Sequence, residues 1–534
     1  MKFRVISGIL RFSVDGHTIL GKVVLVMRQT YSRRRFLQSA VSGVAATVLS
    51  SRLRAQTAAD KRPNLLLITA DDMNWDAPGC FGGQTPDVTP NIDRLASEGM
   101  RFVHAHVTIA VCQPSRSVLM TGRYPHRNGA EGFQPIDTSV PTLQEQLKQA
   151  GYLNGILGKV SHLAPPEKFP WDLAKTPQEL GQGRNPQLYH DFAEQFLERA
   201  KTEGKPFFLM ANSHDPHRPF HGSLQEQNRF KNARAEIPAP SRVYRPDEVE
   251  VPGFLPDIPE VRKEVAQYYS SVRRCDDTVG AVLRALRESG LAENTLTMFL
   301  SDNGMAFPFS KTNCYLNSTR TPWIVTWPGR VKPGVVDTEH FISGIDYMAT
   351  VLDAVDLPRP GGMDGFSFLP VLGGQSQTGR DKVFTEFHQT SARRRYPMRC
   401  VQDRRFGYLF NPWSDGQRVF RNESQSGLTF KAMQAAAEDD DAIEKRVALF
   451  LYRVVEEFYD LENDPDALHN LIDDPAYAGE VERLRRALAE RMKSTGDPAW
   501  QALENRQDPV ALARFMEEQD ARAARGRKTK TKKR

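Results

Sequence analysis

From about Lys61 onward, short apolar runs alternate with longer stretches of helical periodicity. "RPNLLLITADD" is an unbroken apolar run ending in two acids, Asp71 and Asp72. Such a run predicts a strand buried on both faces of a parallel sheet, with the acids at its C-terminal end. "TPNIDRLASEGM" predicts a helix, with Thr89 placed to cap it, Pro90 in its first turn and Gly99 at its end. "RFVHAHV" reads as a strand, "TLQEQLKQAGY" as a helix and "YLNGILGK" as a further strand. A helix at about Leu188–Arg199 leads into "PFFLMANSHDPH", a strand whose end holds His214. A longer helix, about Val261–Ser289, leads into "NTLTMFLSDNG", which ends in Asp302 and Asn303. This alternation predicts an α/β domain around a central, mostly parallel sheet. Three of its strands deliver acids or histidines at their C-terminal ends, where open parallel sheets place ligand sites.

The pattern changes after about Gly373. "KVFTEFH", "YPMRCVQD" and "RRFGYLFNP" read as short, tightly connected strands, and helical segments follow near Asp440–Glu457 and Tyr477–Met492. They predict a smaller C-terminal α+β domain with an antiparallel sheet. The expected organisation is a leader over 1–60, a catalytic domain over 61–373, the α+β domain over 374–505, and a basic, disordered tail over 506–534.

Charge adds little to this picture. The formal net charge is +6, and part of the excess sits in the tail "RGRKTKTKKR". Basic residues are not interleaved with aromatics in one patch, so nucleic acid is not the expected partner. No segment is long and apolar enough to span a membrane. The stretch "YSRRRFLQSAVSGVAATVLSS" sets Arg33 and Arg34 after Ser32, then Phe36, Leu37 and small residues. It predicts a twin-arginine export signal, with Met27 as the start and cleavage within "RAQTAAD". The expected partner is the twin-arginine machinery, and the expected location is periplasmic or secreted. The five cysteines are widely spaced and odd in number, so they imply no disulfide framework.

The strand-end residues carry the chemistry. Asp71, Asp72, Asp302 and Asn303 are hard oxygen ligands, and adjacent acids repel unless a cation lies between them. Such a set suits calcium better than zinc. Pro114 fits a first helical turn, so a helix is expected to begin near Gln113, with Cys112 just off its N-terminus. Arg116 lies four residues on and can face the same site. A positive charge in a first turn opposes the helix dipole and calls for an anionic partner.

The string "CQPSRSVLMTGR" resembles the signature of the sulfatase family, with Met120 where leucine is usual. The resemblance runs from about Pro63 to Leu471, through "ADDMNWD", "TPNIDRLASEGMRF", "GYLNGILGKVSH", "LSDNG", "RTPWIVTWPG" and "FYDLENDPDALHNL". It implies an alkaline-phosphatase-like catalytic domain. It also implies oxidation of Cys112 to formylglycine by a formylglycine-generating enzyme, the hydrate then serving as nucleophile. Carried over by position, Asp71, Asp72, Asp302 and Asn303 would bind Ca2+, with the modified Cys112 as a further ligand. Arg116 would stabilise the hydrate, Lys159 and Lys311 would hold sulfate oxygens, and His214 would serve the leaving group. His162 would be the base, although Val160 and Ser161 separate it from Lys159 where many members have one residue.

Several stretches look closer to one branch, the N-sulfoglucosamine sulfohydrolases: "HDPHRPF", "VPGFLPDIPEVRKEVAQYY", "SDNGMAFPFSKTN" and "YPMRCVQDRRFGYLFN". That likeness implies an N-sulfated glucosamine of heparan or heparin fragments as substrate. Glu386, His388 and Arg399 are the candidates for the sugar, with His217 and Arg218 beside the site. The Arg393–Arg395 run could meet a polyanionic chain. The "GKVSH" spacing looks more like iduronate 2-sulfatase, so an O-sulfatase on another glycan is an alternative. A phosphodiester or phosphonate hydrolase of the same superfamily is another.

Overall fold

The computed structural model describes residues 62–531, with side chains over 62–524, and two strands near the start of the chain, Ile6–Val14 and His17–Leu25. Those two strands pair antiparallel, Val14 opposite His17, and belong to a separate unit. The twin-arginine stretch, Met27 and the expected cleavage segment lie outside the described residues. No described helix is long and apolar enough to cross a membrane.

The central sheet has eight strands: β1 (Asn64–Asp71), β2 (Met100–Phe102), β3 (Leu153–Leu157), β4 (Leu173–Lys175), β5 (Phe207–Pro216), β6 (Thr295–Ser301), β7 (Trp323–Thr326) and β8 (Val335–Asp337). Their order is β8-β2-β7-β6-β1-β5-β3-β4. Only β7 runs against its neighbours, so the sheet is mostly parallel, as its apolar runs predict. Strand side chains alternate between the faces. On β1, Leu66 and Ile68 enter one core with Phe196 and Val272, while Leu65 and Leu67 enter the other with Leu147 and Val351. Helices therefore cover both faces, and the ligand-bearing end of the sheet stays at one edge. Asp71 of β1 pairs with Pro216 of β5, and Ala70 with Ser301 of β6, so three loops leave the sheet at the same level.

The C-terminal sheet is antiparallel, β9 (Lys382–Gln389), β10 (Arg395–Asp403), β11 (Phe406–Phe410) and β12 (Glu456–Asp460) in that order. β12 is a correction, because Asp440–Glu457 reads as one helix in the sequence. The helix is Asp441–Tyr452, capped by Asp440, and it stops at Arg453 with φ of 55°. The Arg453 guanidinium is drawn to the Tyr315 hydroxyl and the Asn313 side-chain oxygen, so tertiary contacts end the helix before "EEFYD".

The expected disordered tail also differs. A helix runs Pro509–Thr531. Leu512, Phe515 and Met516, at helical spacing, are buried in the core.

Candidate functional site

The site is built where β1, β3, β5 and β6 end. Asp72 follows β1 with φ of 70°. That turn is tied to the neighbouring strand by Asp72 N–H to Asp302 Oδ1 (3.2 Å) and Met73 N–H to Ser301 Oγ (2.8 Å). The two acidic clusters are thereby locked together. Asp71, Asp72, Asp302 and Asn303 are all fully buried.

A helix, α1 (Cys112–Thr121), points its N-terminus into this cluster. The Cys112 sulfur lies 3.9 Å from Asp72 Oδ1. Burial, and then Asp71, push its thiol well above the ordinary cysteine range. The helix begins at Cys112 itself, earlier than expected, so Arg116 falls just past the first turn, and it does find an anionic partner. One terminal nitrogen donates to Asp302 Oδ2 (2.7 Å) and lies 3.7 Å from Asp71, and the other donates to Thr69 Oγ1 (2.8 Å) and Asn212 Oδ1 (2.5 Å). Asn212 in turn donates to the carbonyls of Leu157 and Gly158, just before Lys159. Thr69 and Asn212 are invisible to a search for chemistry, since Asn212 lies inside an apolar strand run.

Lys159 sets its ammonium on Asp71, and Lys311 donates to Asp72 Oδ2 (2.7 Å) and Glu423 Oε2 (3.0 Å). Burial opposes the Lys311 charge, but Asp72, Cys112 and Glu423 outweigh it and hold its pKa well above the usual lysine range. Glu423, which also lies 3.5 Å from His217, carries no sequence signal. His217 reaches within 3.9 Å of Asp72.

The extra residue between Lys159 and His162 is absorbed locally. Lys159 adopts φ of 56°, a 3-10 turn spans Val160–His162, and His162 N–H bonds the Lys159 carbonyl at 2.9 Å. His162 is thus brought to the site, with Phe133 edge-on at 5.9 Å. Burial, then Lys159 and Arg116, hold its pKa well below the usual histidine range. His214 behaves alike, through burial and then Lys159. Nδ1 of each ring is buried without a hydrogen-bond partner. Gly183 packs against His214 so closely that a Cβ would stand 2.2 Å from Nδ1.

Four other expected residues are placed differently. Arg218 is buried and donates to Glu264 (2.6 Å) and the Ala306 carbonyl, which makes it a strut of the loop. Glu386, His388 and Arg399 are buried and turned on one another and on His126, Glu131 and Asp497. This closed network braces β9 and β10 against the catalytic domain, so the three residues offer no open face to a sugar.

The donor set also fits a cation. Asp71, Asp72 and Asp302 can each offer one oxygen within 4.8 Å of the others. Asp71 Oδ1 and Asn303 Oδ1 are buried and accept no hydrogen bond, and Asp71 Oδ2 meets the Lys159 ammonium. All these donors are oxygens, the preference of a hard divalent ion.

The sulfatase family model matches residues 63–357, more than half of the chain. The chain belongs to the sulfatase family. A second family model, "N-sulphoglucosamine sulphohydrolase, C-terminal", matches residues 305–413 of this sulfatase. The sulfatase is 32% identical over 466 residues to N-sulphoglucosamine sulphohydrolase of Homo sapiens, covering 82% of this chain and 91% of that one. It is 27% identical over 469 residues to an ulvan-active sulfatase of Formosa agariphila, covering 86% and 87%. A structure solved in complex with its substrate D-glucosamine-2-N,6-O-disulfate aligns with a TM-score of 0.60 at 20% identity, covering 82% and 98%. Phosphonate monoester hydrolase of Agrobacterium radiobacter aligns at 0.59 and 19%, covering 81% and 95%. These two structures share the alkaline-phosphatase-like fold of this sulfatase. The enzyme is a sulfate ester or sulfamate hydrolase.

Proposed function

We propose that this sulfatase removes the N-sulfate from glucosamine in heparan or heparin fragments, with calcium and a formylglycine made from Cys112. The observation that carries the substrate is the 32% identity to human N-sulphoglucosamine sulphohydrolase across most of both chains. The match of the second family model over residues 305–413, which include Lys311 and β9–β11, supports it.

The geometry supports the chemistry. A buried thiol pushed far above its ordinary pKa stays protonated and is a poor nucleophile. This favours conversion of Cys112 by a formylglycine-generating enzyme. Converted, the residue would supply a hydrated aldehyde as nucleophile, and calcium held by Asp71, Asp72, Asp302 and Asn303 would supply fixed positive charge beside the sulfate oxygens. Arg116 orients residue 112 from beneath. Lys159 and Lys311 hold the sulfate oxygens from two sides. His162, neutral in its buried setting, accepts a proton. His214 donates to the leaving nitrogen or oxygen, and the negative charge of bound sulfate favours its protonated form. Export by the twin-arginine route belongs to the same reading and rests on the sequence pattern alone.

The test is parallel assay of N-sulfoglucosamine, O-sulfated hexosamines, a 2-O-sulfated uronate and a phosphonate monoester. Turnover of N-sulfoglucosamine above the others supports the reading. Turnover of the phosphonate with no sulfate release would overturn it. Mass measurement of the peptide holding Cys112 checks conversion, in which the residue loses its sulfur and a pair of hydrogens and gains an oxygen.

A further inference from the structure

We infer that a basic groove beside the catalytic pocket is a binding site for the continuation of a sulfated or carboxylated saccharide chain. The inference rests on the sulfatase reading above and adds a distal subsite to it.

The groove is a cleft of about 490 Å³ lined by Arg393, Arg394, Arg395, Arg418 and Arg421, with Asp520 as its one acid. Three separate parts of the chain converge there: the turn between β9 and β10, the segment around Arg418–Arg421, and the final helix through Asp520, Ala523 and Ala524. Asp520 is already taken by Arg418 (2.8 Å). Arg395 is buried and pairs with Glu131 (2.5 Å), so it is structural. Arg394 and Arg421 are exposed, and Arg393 is partly so. The sequence after Ala524, "RGRKTKTKKR", carries seven lysines and arginines in ten residues and lies outside the described side chains. A surface with this charge attracts polyanions, and the planar guanidinium fork matches sulfate and carboxylate.

The position relative to the pocket gives the groove its meaning. Arg421 stands two residues before Glu423, which bonds Lys311. On the other flank, Arg395 holds Glu131, and Phe133 two residues on packs against His162. Two short connections, Arg421 to Glu423 and Arg395 through Glu131 to Phe133, thus lead from the groove to residues of the sulfate site. An anionic chain with its terminal sugar in the pocket would pass over these arginines.

The lining also selects the kind of polyanion. Sites for single-stranded nucleic acid offer exposed aromatic faces for stacking. The one aromatic here, Tyr396, is buried between Trp413 (5.1 Å) and Phe420 (4.8 Å), and its hydroxyl donates to the Val419 carbonyl. A chain that presents charge without bases fits better.

The test compares a monosaccharide with a chain. Kinetics on N-sulfoglucosamine and on a heparin-derived hexasaccharide are measured for the wild type, R394A/R421A, and a chain ending at Ala524. Hexasaccharide binding is measured in parallel on C112A, with and without R394A/R421A, at low and moderate salt. The expected result is a KM for the hexasaccharide raised about tenfold in R394A/R421A, and less in the shortened chain, with monosaccharide kinetics unchanged. The binding loss should shrink as salt rises. Unchanged hexasaccharide KM, or an equal loss on the monosaccharide, would overturn the groove. So would equal affinity for single-stranded DNA of matched charge. If the wild type turns over neither saccharide while C112A still binds the hexasaccharide through Arg394 and Arg421, the groove stands and the substrate reading falls.

Discussion

Replacing Glu386 by Gln should weaken the join between the C-terminal sheet and the segment holding His126, and the loss should depend on pH in a defined sense. Glu386 accepts from His126 Nδ1 (2.9 Å) and His388 Nε2 (3.0 Å), with Arg399 at 3.8 Å. The other ring nitrogen of His126 lies 3.3 Å from the Thr495 carbonyl. Both nitrogens thus face acceptors, and only the imidazolium satisfies both. Burial opposes that charge, but Glu386 outweighs it and raises His126 above 6.5. Burial would raise Glu386, but His126, His388 and Arg399 hold it well below 4.5. The other charged groups in the network are Glu131 on His388, Asp497 on Arg399, and Arg491 over the Tyr124 that stacks on His126. The signs follow from linkage. The lowered Glu386 contributes stability above about 4.5 that is lost as pH falls. The raised His126 contributes stability below 6.5 that is lost as pH rises through its folded value. Both operate together in mildly acidic solution. Glu386 and His126 side chains are each 3% exposed, and removing one partner of a buried pair costs about 3–5 kcal/mol. Gln keeps one acceptor oxygen, so the lower end is expected. Thermal unfolding of wild type and Glu386→Gln, followed from about pH 5 to about pH 9, should give the widest gap at the acid end. A gap of constant size across that range, or none, would refute the charged state assigned to His126.

Chelation should lower both activity and Tm, and calcium should restore them, since a ligand at about a hundred times its Kd adds roughly 2.7 kcal/mol; indifference of Tm and activity to prolonged chelation would remove the cation from the reading. Arg116→Lys should cut kcat by about 10²–10³, because a lysine cannot keep Thr69, Asn212 and Asp302 together; near-normal turnover would show that the fork is dispensable. Gly183→Ala should lower kcat more than stability, because its Cβ would meet His214 Nδ1 at 2.2 Å and its φ is +73°; the check is kcat set against Tm. A chain ending at residue 508 should lose about 1.5–3 kcal/mol for each of Leu512, Phe515 and Met516, whereas one ending at Ala524 should unfold like the wild type.

Much of the catalytic domain was legible because its strands are unbroken apolar runs with chemistry at their ends. Asp71, Asp72, Asp302 and Asn303 could be paired from sequence for that reason, and the structure brings their side chains together. The C-terminal region was less legible. Its strands mix charged with apolar residues although nearly all are buried, and β12 follows a helix with no glycine or proline between them. What ends that helix is Arg453 reaching Tyr315 and Asn313, about 140 residues away in sequence, and no local pattern carries such a contact. Glu386, His388 and Arg399 misled for a related reason. A charged run in an antiparallel hairpin looks like surface, but Glu386 and Arg399 are cross-strand partners. The bulge after Phe387 marks where the hairpin becomes irregular; Glu386 and His388 turn to His126 and Glu131, and Arg399 turns to Asp497. The final helix was masked by the basic residues that follow its apolar stripe.

The charge count in the pocket explains why so many ionised groups can be buried together. Four carboxylates, Asp71, Asp72, Asp302 and Glu423, stand against three cations, Arg116, Lys159 and Lys311. A divalent cation among the carboxylates would leave an excess of one positive charge with every carboxylate ionised. An anion then belongs in the space between Lys159 and Lys311. Burial, and then Lys159, depress both His162 and His214, with Arg116 adding to the effect on His162. An arriving sulfate offsets that field at His214 and His162 together. The two rings must part in role by what touches them. His162 sits on the 3-10 turn after Lys159, edge-on to Phe133, while His214 is held against Gly183 by its own backbone bond to that carbonyl (3.0 Å). Under the proposed mechanism the fixed ring of His214 suits proton donation to the leaving group, which leaves His162 to accept a proton. A 3-10 turn takes up the length of the single inserted residue at Val160–Ser161, and His162 N–H still bonds the Lys159 carbonyl.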